Sequence, residues 1–351
     1  DRTWLAFTSG STGTPRAAVH TRRSLEASTR AMAERYRLDA DDVLLVAAPV
    51  GHAIGFCYGV RLAIACGCKL VLQRAWDPDL AVSLIDAEGC TFAAIPTPFL
   101  ADLLDAEGRP RQGTLQRLLV GGAPVARDQV SRAERIFGSG VTSGYYGSSE
   151  CGAVLCSPPD APDEERLGTD GIPMPGLELR IVDDDGADVA PGQQGEMLVR
   201  GEQVAVGYWA NNDSDDQFRA DGWFATRDRV VMDDAGYVAA MSRIKDVIFR
   251  GAVNVIPREV EEAVASHPAV GRVVVFGRPH HRLGEQIVAA ITATGSAPGR
   301  DEIRQWLGDA GLARSKWPDA VAVVDEFPRT PTGKIDRARV RDELLRKDSA
   351  R

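Results

Sequence analysis

The sequence predicts an α/β protein: large-domain α/β sheets carrying a small antiparallel-strand subdomain, followed by a small α+β unit at the C-terminal end. Three observations carry this. Up to Gly147, unbroken apolar runs at residues 43–48, 92–95 and 118–120 alternate with helical patterns, as in a mostly parallel sheet covered on both faces. After Gly147 the period changes to two, in 177–182 and 196–200, with turns rich in Asp, Gly and Pro between them, which reads as antiparallel, half-exposed strands. Beyond Arg243, helix and strand patterns alternate in a smaller unit. The expected division is 1–242, with 1–150 parallel α/β and 151–242 β-rich, then 243–351.

In order, residues 4–7 (Trp-Leu-Ala-Phe) read as a short buried strand. Leu25, Thr29, Met32 and Tyr36 fall on one face of a helix that begins near Thr21 or Ser24. A strand over 43–48, a mostly apolar helix over 54–65 closed by Gly67, and a strand over 70–72 follow. Asp77-Pro78 is an N-cap followed by proline at the first helical position, and that helix stops at Gly89. Strands at 92–95 and 118–120 flank a helical 98–106, and the helix 126–137 is closed by Gly138. In the last part, 259–266 and 300–308 read as helices, and 270–276, 287–292 and 321–324 as strands.

Composition narrows the function. The 351 residues are 44% hydrophobic and 26% charged, an ordinary globular balance and long enough for two or more domains. A net charge of −9 with acids and bases interspersed argues against a nucleic-acid partner, which needs a basic face. No apolar run approaches the ~20 residues of a membrane span, since Arg61 and Lys69 interrupt the best candidate. The six cysteines, Cys57, Cys66, Cys68, Cys90, Cys151 and Cys156, show no pair of pairs at zinc spacing. They read as buried free thiols in a reducing cytoplasm.

The stretch with most chemistry is Phe7-Thr8-Ser9-Gly10-Ser11-Thr12-Gly13-Thr14-Pro15-Arg16. Glycines let a backbone turn tightly, successive N–H groups make an anion-binding concavity, and hydroxyls and a cation add donors. A grip on phosphates and a flexible Ser/Gly linker both fit this decapeptide. Further along stand Tyr145-Tyr146-Gly147-Ser148-Ser149-Glu150, the turn from Gly222 to Asp228, Arg243-Ile244-Lys245-Asp246, and the segment from Pro328 through Lys334 to Arg337. Each alone has an ordinary explanation as core, solvated charge or loop tip.

In this order and spacing the motifs resemble the ANL superfamily of adenylate-forming enzymes, which includes acyl-CoA synthetases, adenylation domains of peptide synthetases and luciferases. The resemblance runs over essentially the whole chain. It implies an ATP site in which Ser9, Gly10, Ser11, Thr12, Gly13 and Thr14, flanked by Thr8 and Arg16, hold the β- and γ-phosphates. Gly121, Gly122 and Ala123 would lie against the adenine and acyl groups, where a side chain would block close approach. Tyr146 would stack on adenine, with Tyr145, Gly147 and Ser149 in the same nucleotide motif, and Glu150 would ligate Mg²⁺. Asp228 would take the ribose hydroxyls, with Arg243 donating from the other side. His52 would border the carboxylate pocket; its alternative is a hydrogen-bonded histidine at a strand end. Lys334 would bridge the attacking carboxylate and the α-phosphate. In the CoA ligases of this family the small, mobile domain then turns about a hinge matching Lys245 and brings in the face that holds Gly251 for thiol attack. Pro257 and Glu259 fit the pattern after that face.

Four departures qualify the resemblance. Arg16-Ala17 stands where Lys-Gly is usual, which keeps the charge but changes its donor geometry. Arg227 replaces a usual glycine and would be strained if that position has positive φ. Ala252 and Val253 stand where CoA ligases commonly carry Gly and Glu, beside a retained Gly251 and Asn254. The phosphate-loop motif comes at the very start, whereas family members carry a substantial segment before it, so the chain taken alone is expected to have weak activity or none. The implied reaction is ATP-dependent formation of an acyl-AMP and then of a thioester with CoA. The acid resembles that of cyclohexanecarboxylate–CoA-ligase-like members: alicyclic, aromatic or medium-chain. Loading of a carrier-protein phosphopantetheine thiol, or non-catalytic binding of ATP or acyl-AMP, are the alternatives.

Overall fold

A computed structural model of the chain describes residues 2–8, 16–106, 113–122, 125, 127–209, 216–243, 246–251, 253–330 and 335–349. The chain divides into two compact units. One is built from Asp1–Thr226 and Val230–Ala240, the other from Met241–Pro331 and Ile335–Arg351 together with Arg227–Arg229.

The first unit opens with strands β1 (Trp4–Thr8) and β2 (Arg16–His20), paired antiparallel with Trp4 opposite His20 and Thr8 opposite Arg16. Residues 4–7 are therefore a strand, but not a buried one: Ala6 is buried while Phe7 is 70% exposed. The reason is that β1 pairs in a two-stranded ribbon with an open face instead of lying inside the large sheet. Helix α1 (Arg22–Tyr36) starts at Thr21, whose hydroxyl accepts the Ser24 N–H while Ser24 Oγ accepts the Thr21 N–H. This reciprocal cap satisfies two otherwise orphaned donors. Leu25, Thr29, Met32 and Tyr36 are all buried along its inner face.

Next come β3 (Val43–Val46), α2 (Ala53–Gly55), a π-helical stretch over Phe56–Arg61, and α3 (Leu62–Cys66). The single helix expected over 54–65 is thus one continuous rod whose winding changes midway, closed by Gly67 at φ +71°. A Cβ on Gly59 would meet the Val46 side chain at 2.5 Å, so this glycine lets the rod lie directly on β3. Then follow β4 (Lys69–Leu72), α4 (Pro78–Glu88), β5 (Phe92–Pro96), α5 (Thr97–Asp105), β6 (Arg117–Gly121), α6 (Arg127–Phe137), β7 (Thr142–Ser148), β8 (Gly152–Cys156), α7 (Asp163–Gly168) and β9 (Ile172–Pro173). Asp77 caps α4 by accepting the Leu80 N–H at 3.0 Å.

These strands form a seven-stranded sheet in the order β4-β3-β5-β6-β7-β8-β9. The strands from β4 to β7 run parallel, and β8 and β9 add antiparallel. Successive residues feed opposite faces: Leu44 and Leu119 pack with α1 and the rod, whereas Leu45 and Leu118 pack with α4, α5 and α6. Each large side chain so buried contributes roughly 1.5–3 kcal/mol. The β-rich part of the chain holds β10 (Leu177–Val182), β11 (Gln194–Gly201), β12 (Phe224–Met232) and β13 (Val238–Arg243), in that order in one sheet. The β10–β11 pair is antiparallel, as its period-two pattern predicts.

The second unit contains β14 (Ile248–Arg250), β15 (Val253–Val255), α8 (Pro257–Ala265), β16 (Val270–His280), β17 (Gly284–Ala293), α9 (Arg300–Asp309), β18 (Ala320–Val323) and α10 (Arg337–Ser349). Its five-stranded sheet has the order β15-β14-β17-β16, with β18 parallel to β17 on the edge that β14 also uses, further along the strand. Helices α8 and α9 close one apolar face through Val260, Val264, Ile303 and Leu307; α10 brings Val340 to the other, against Phe276 and Phe327. Among the described residues no helix is long and apolar enough to cross a membrane.

Candidate active site

Ser9, Gly10, Ser11, Thr12, Gly13 and Thr14 lie outside the described residues, as do Ala123, Lys245 and Lys334. The two strand ends that flank the Ser/Gly/Thr stretch are described: Thr8 and Arg16 are cross-strand partners. Arg16 donates from Nη2 to Gln217 Oε1 at 3.0 Å, and its guanidinium carbon stands 4.1 Å from the centroid of the Tyr208 ring. Gln217 is itself fixed by donating to the Ala225 carbonyl at 3.0 Å.

Glu150 sits in the turn between β7 and β8. Ser148 Oγ shapes that turn by accepting the N–H groups of Glu150 and Cys151. The carboxylate is only 8% exposed, and its Oε1 accepts the Tyr208 hydroxyl at 2.6 Å. The Glu150 carbonyl accepts the Ala205 N–H at 2.7 Å. From there residues 205–209 run antiparallel along β2, with Val206 N–H bonded to Val19 and Trp209 N–H bonded to Ala17. Ser149 contributes its carbonyl, which accepts from His20 Nε2 at 2.8 Å. Burial depresses the His20 pKa against the opposing pull of that carbonyl and of the Glu150 charge.

A single buried carboxylate with one oxygen already oriented suits Mg²⁺. This hard cation takes one or two carboxylates and fills its remaining positions with substrate phosphate and water oxygens. Among the described residues no group of three or more His, Cys, Asp or Glu is arranged to hold a metal by itself.

The two tyrosines of the motif separate. Successive strand residues face opposite ways, and Tyr145 turns into the core, 6% exposed and edge-on to Tyr58. Its side chain thus packs within the core, away from the face that carries Tyr146. Tyr146, opposite Leu155 on β8, is half-buried on the other face. Gly121 ends β6 directly over Tyr145: a Cβ there would meet the ring at 2.5 Å. This glycine is needed first by its own neighbour, a reason additional to close approach of a ligand. Gly122 has φ +84°, left-handed backbone that favours glycine. Gly147 has no room for a Cβ because the Gly152 carbonyl occupies that position.

His52 caps α2, with Nδ1 accepting the Ile54 N–H at 3.3 Å. Asp228 is buried on β12 beside Arg227, which has φ +62°. The strain expected at Arg227 on the glycine comparison is thus present in the backbone. Arg243 ends β13; its side chain lies outside the described residues. In the second unit, Gly251 turns the chain between β14 and β15 at φ +63°, and its N–H donates to the Leu283 carbonyl at 2.7 Å. All six cysteines are free. Burial pushes the Cys57 and Cys156 thiols up to about 12, and Cys66 and Cys68 are less enclosed than the sequence suggests.

Motif reading missed Tyr208, Gln217 and His20. The local signal at Val206-Gly207-Tyr208-Trp209 is only a glycine before two aromatics, and the partners of Tyr208 are remote in the chain.

A parallel α/β sheet with an antiparallel extension thus carries a paired strand ribbon with a cation at its end and a buried carboxylate joined to that cation through Tyr208. The chain belongs to the AMP-binding enzyme family, which matches residues 1–209, and the C-terminal domain of AMP-binding enzymes matches residues 259–334. It is 32% identical to the medium-chain fatty-acid–CoA ligase of Escherichia coli (strain K12) over 98% of this chain and 61% of that protein. It is 35% identical to a salicylyl-CoA synthase / salicylate adenylyltransferase of Streptomyces sp over 95% of this chain and 61% of that protein. The ATP-bound structure of MatB from Rhodopseudomonas palustris superposes with a TM-score of 0.90 at 27% identity, covering 97% of this chain and 68% of MatB. The chain thus spans about 61% of the length of these two curated relatives.

Proposed function

We propose that the protein activates a carboxylic acid with ATP and passes the acyl group to the thiol of CoA. In the first step a carboxylate oxygen attacks the α-phosphorus, the bond to the bridging β-phosphate oxygen breaks, and pyrophosphate leaves. In the second, the CoA sulfur, having lost its proton, attacks the acyl carbon and AMP departs. The observation that carries this reading is the pairing of Glu150 and Arg16 on one tyrosine next to the Ser/Gly/Thr stretch, in a chain of the AMP-binding family.

Arg16 and the Thr8–Arg16 stretch hold the triphosphate end. Glu150 would hold Mg²⁺, which when bound draws off negative charge from the phosphate oxygens. Tyr146 carries the adenine, Asp228 and Arg243 the ribose, and Gly121, Gly122 and Ala123 leave room along the acyl group. His52 borders the carboxylate. Lys334 brings a cation to the two anions that must meet, so its contribution is largest where charge develops in the transition state. Lys245 serves as the hinge and Gly251 lies on the thiol side. The acid is medium-chain, aromatic or alicyclic; the names of the two relatives, a medium-chain fatty-acid ligase and a salicylyl-CoA synthase, support the first two classes. ATP, CoA and six free thiols suit a cytoplasmic setting.

Loading of a carrier-protein thiol is the second reading, favoured by the change to Ala252 and Val253 after Gly251. Pyrophosphate release across a panel of carboxylates tests the first step, with CoA and a holo-carrier protein compared as acceptors. Lys334→Ala is expected to slow adenylation by at least ~10²-fold. An unchanged rate removes Lys334 from this role, and no release with any acid in the presence of MgATP removes the enzymatic reading.

A further inference from the structure

Tyr208 meets two side chains of opposite charge with two different parts of itself. Its hydroxyl donates to Glu150 Oε1 at 2.6 Å, and its ring face lies 4.1 Å from the guanidinium carbon of Arg16. A phenol hydroxyl is a neutral donor and an aromatic face a neutral acceptor of a cation, so Tyr208 orients each charge without cancelling it. Its own position is fixed three ways. Residues 205–209 are stitched to β2 by backbone hydrogen bonds, the Ala205 N–H is tied to the Glu150 carbonyl, and the ring stands edge-on to Phe218 with centroids 5.4 Å apart. The planar guanidinium at position 16 fits this arrangement, because it can stack on the ring and still reach Gln217 Oε1 at 3.0 Å. A lysine ammonium has no plane to stack and no fork to reach sideways.

We propose that Tyr208 is a positioning residue for a magnesium-complexed nucleoside triphosphate, its hydroxyl aligning the Glu150 carboxylate and its ring aligning Arg16. It acts through those two residues and does not itself touch the reacting atoms. The inference rests on the proposed roles of Glu150 and Arg16, and it assigns the arginine at position 16 to this tyrosine as well as to the phosphates. The two halves of the side chain carry separable tasks. The hydroxyl serves the metal-dependent part of nucleotide affinity, and the ring serves the part that needs no metal.

The test is calorimetric binding of a non-hydrolysable ATP analogue to the whole chain, once with MgCl₂ and once with EDTA. Tyr208→Phe keeps the ring and removes the hydroxyl. It is expected to weaken binding in Mg²⁺ by roughly 5- to 20-fold, part of the cost of a lost hydrogen bond to a charged group because Tyr208 acts through Glu150, and to leave binding in EDTA within about twofold of the parent. Tyr208→Leu is expected to weaken both. Glu150→Gln, which keeps Tyr208 intact, is expected to lose the Mg²⁺-dependent gain, and adding Tyr208→Phe to it should change nothing further. Thermal melts without nucleotide confirm that each variant is folded. Equal losses for Tyr208→Phe in Mg²⁺ and EDTA, or a further loss on top of Glu150→Gln, overturn the proposal, as does Mg²⁺ binding that matches the parent. A parent chain that binds no analogue overturns the nucleotide site itself, an outcome distinct from these.

Discussion

Arg227 has a φ of +62° inside β12, where an L side chain brings its Cβ close to the following carbonyl at roughly 1–2 kcal/mol. Glycine relieves that crowding but loses more backbone entropy on folding, about 0.5–1 kcal/mol. Arg227→Gly is therefore expected to stabilise the chain by up to about 1 kcal/mol, read as a rise in thermal midpoint. A fall would mean that contacts of the arginine side chain outweigh its backbone. The sequence carries this strain only conditionally, since the family's usual glycine marks a place where an arginine is strained if φ is positive, and the backbone supplies that condition. Tyr208 was not legible. Its chemistry depends on Arg16 and Glu150, neither of which is near it in the chain, and no periodicity connects the three.

At the scale of elements, legibility follows locality. The ends of α1 and α4 could be read because Thr21 and Asp77 act on N–H groups within the next turn. Strand β2 could not, since Arg16-Ala17-Ala18-Val19-His20 carries a single β-branched residue and is a strand because β1 and residues 205–209 pair with it. Helix α10 escaped for a related reason: it is highly charged, and its burial centres on Val340. The junction of β6 with β7 shows how an element's packing supports the site. Gly121 is opposite Tyr145 in the ladder, and a methyl group there would press on the ring at 2.5 Å. Gly121→Ala must push the ring or part the strands, a cost of about 1–3 kcal/mol for an overpacked core. A lowered urea midpoint and weaker nucleotide binding together are the expected result. A loss of binding at unchanged stability would instead mean that the glycine serves only the ligand.

The whole molecule carries separate apolar cores in its two units, so a single cooperative unfolding step is not expected. Acid should distinguish the units through Asp319. This carboxylate is partly buried, which disfavours its charge. The hydrogen bonds from Arg250 at 2.7 and 2.9 Å, the Ile287 N–H at 2.9 Å and the nearby Arg304 outweigh that burial and hold its pKa below the ordinary value. A depressed native pKa means that the unfolded chain binds the proton first as pH falls. The stabilisation is then complete above the unfolded value of about 3.9 and is lost as pH drops through the lower native one. The same aspartate joins β14 to β17 and to the start of β18, so its protonation loosens three strands of the second unit together. Scanning calorimetry between pH 3 and pH 7 should resolve two transitions. Asp319→Asn should lower one of them at neutral pH and flatten its decline below about pH 4, while the transition raised by an ATP analogue stays where it is. A single transition, or two that Asp319→Asn shifts equally, would mean that the units are coupled and that the separation of their cores does not govern stability.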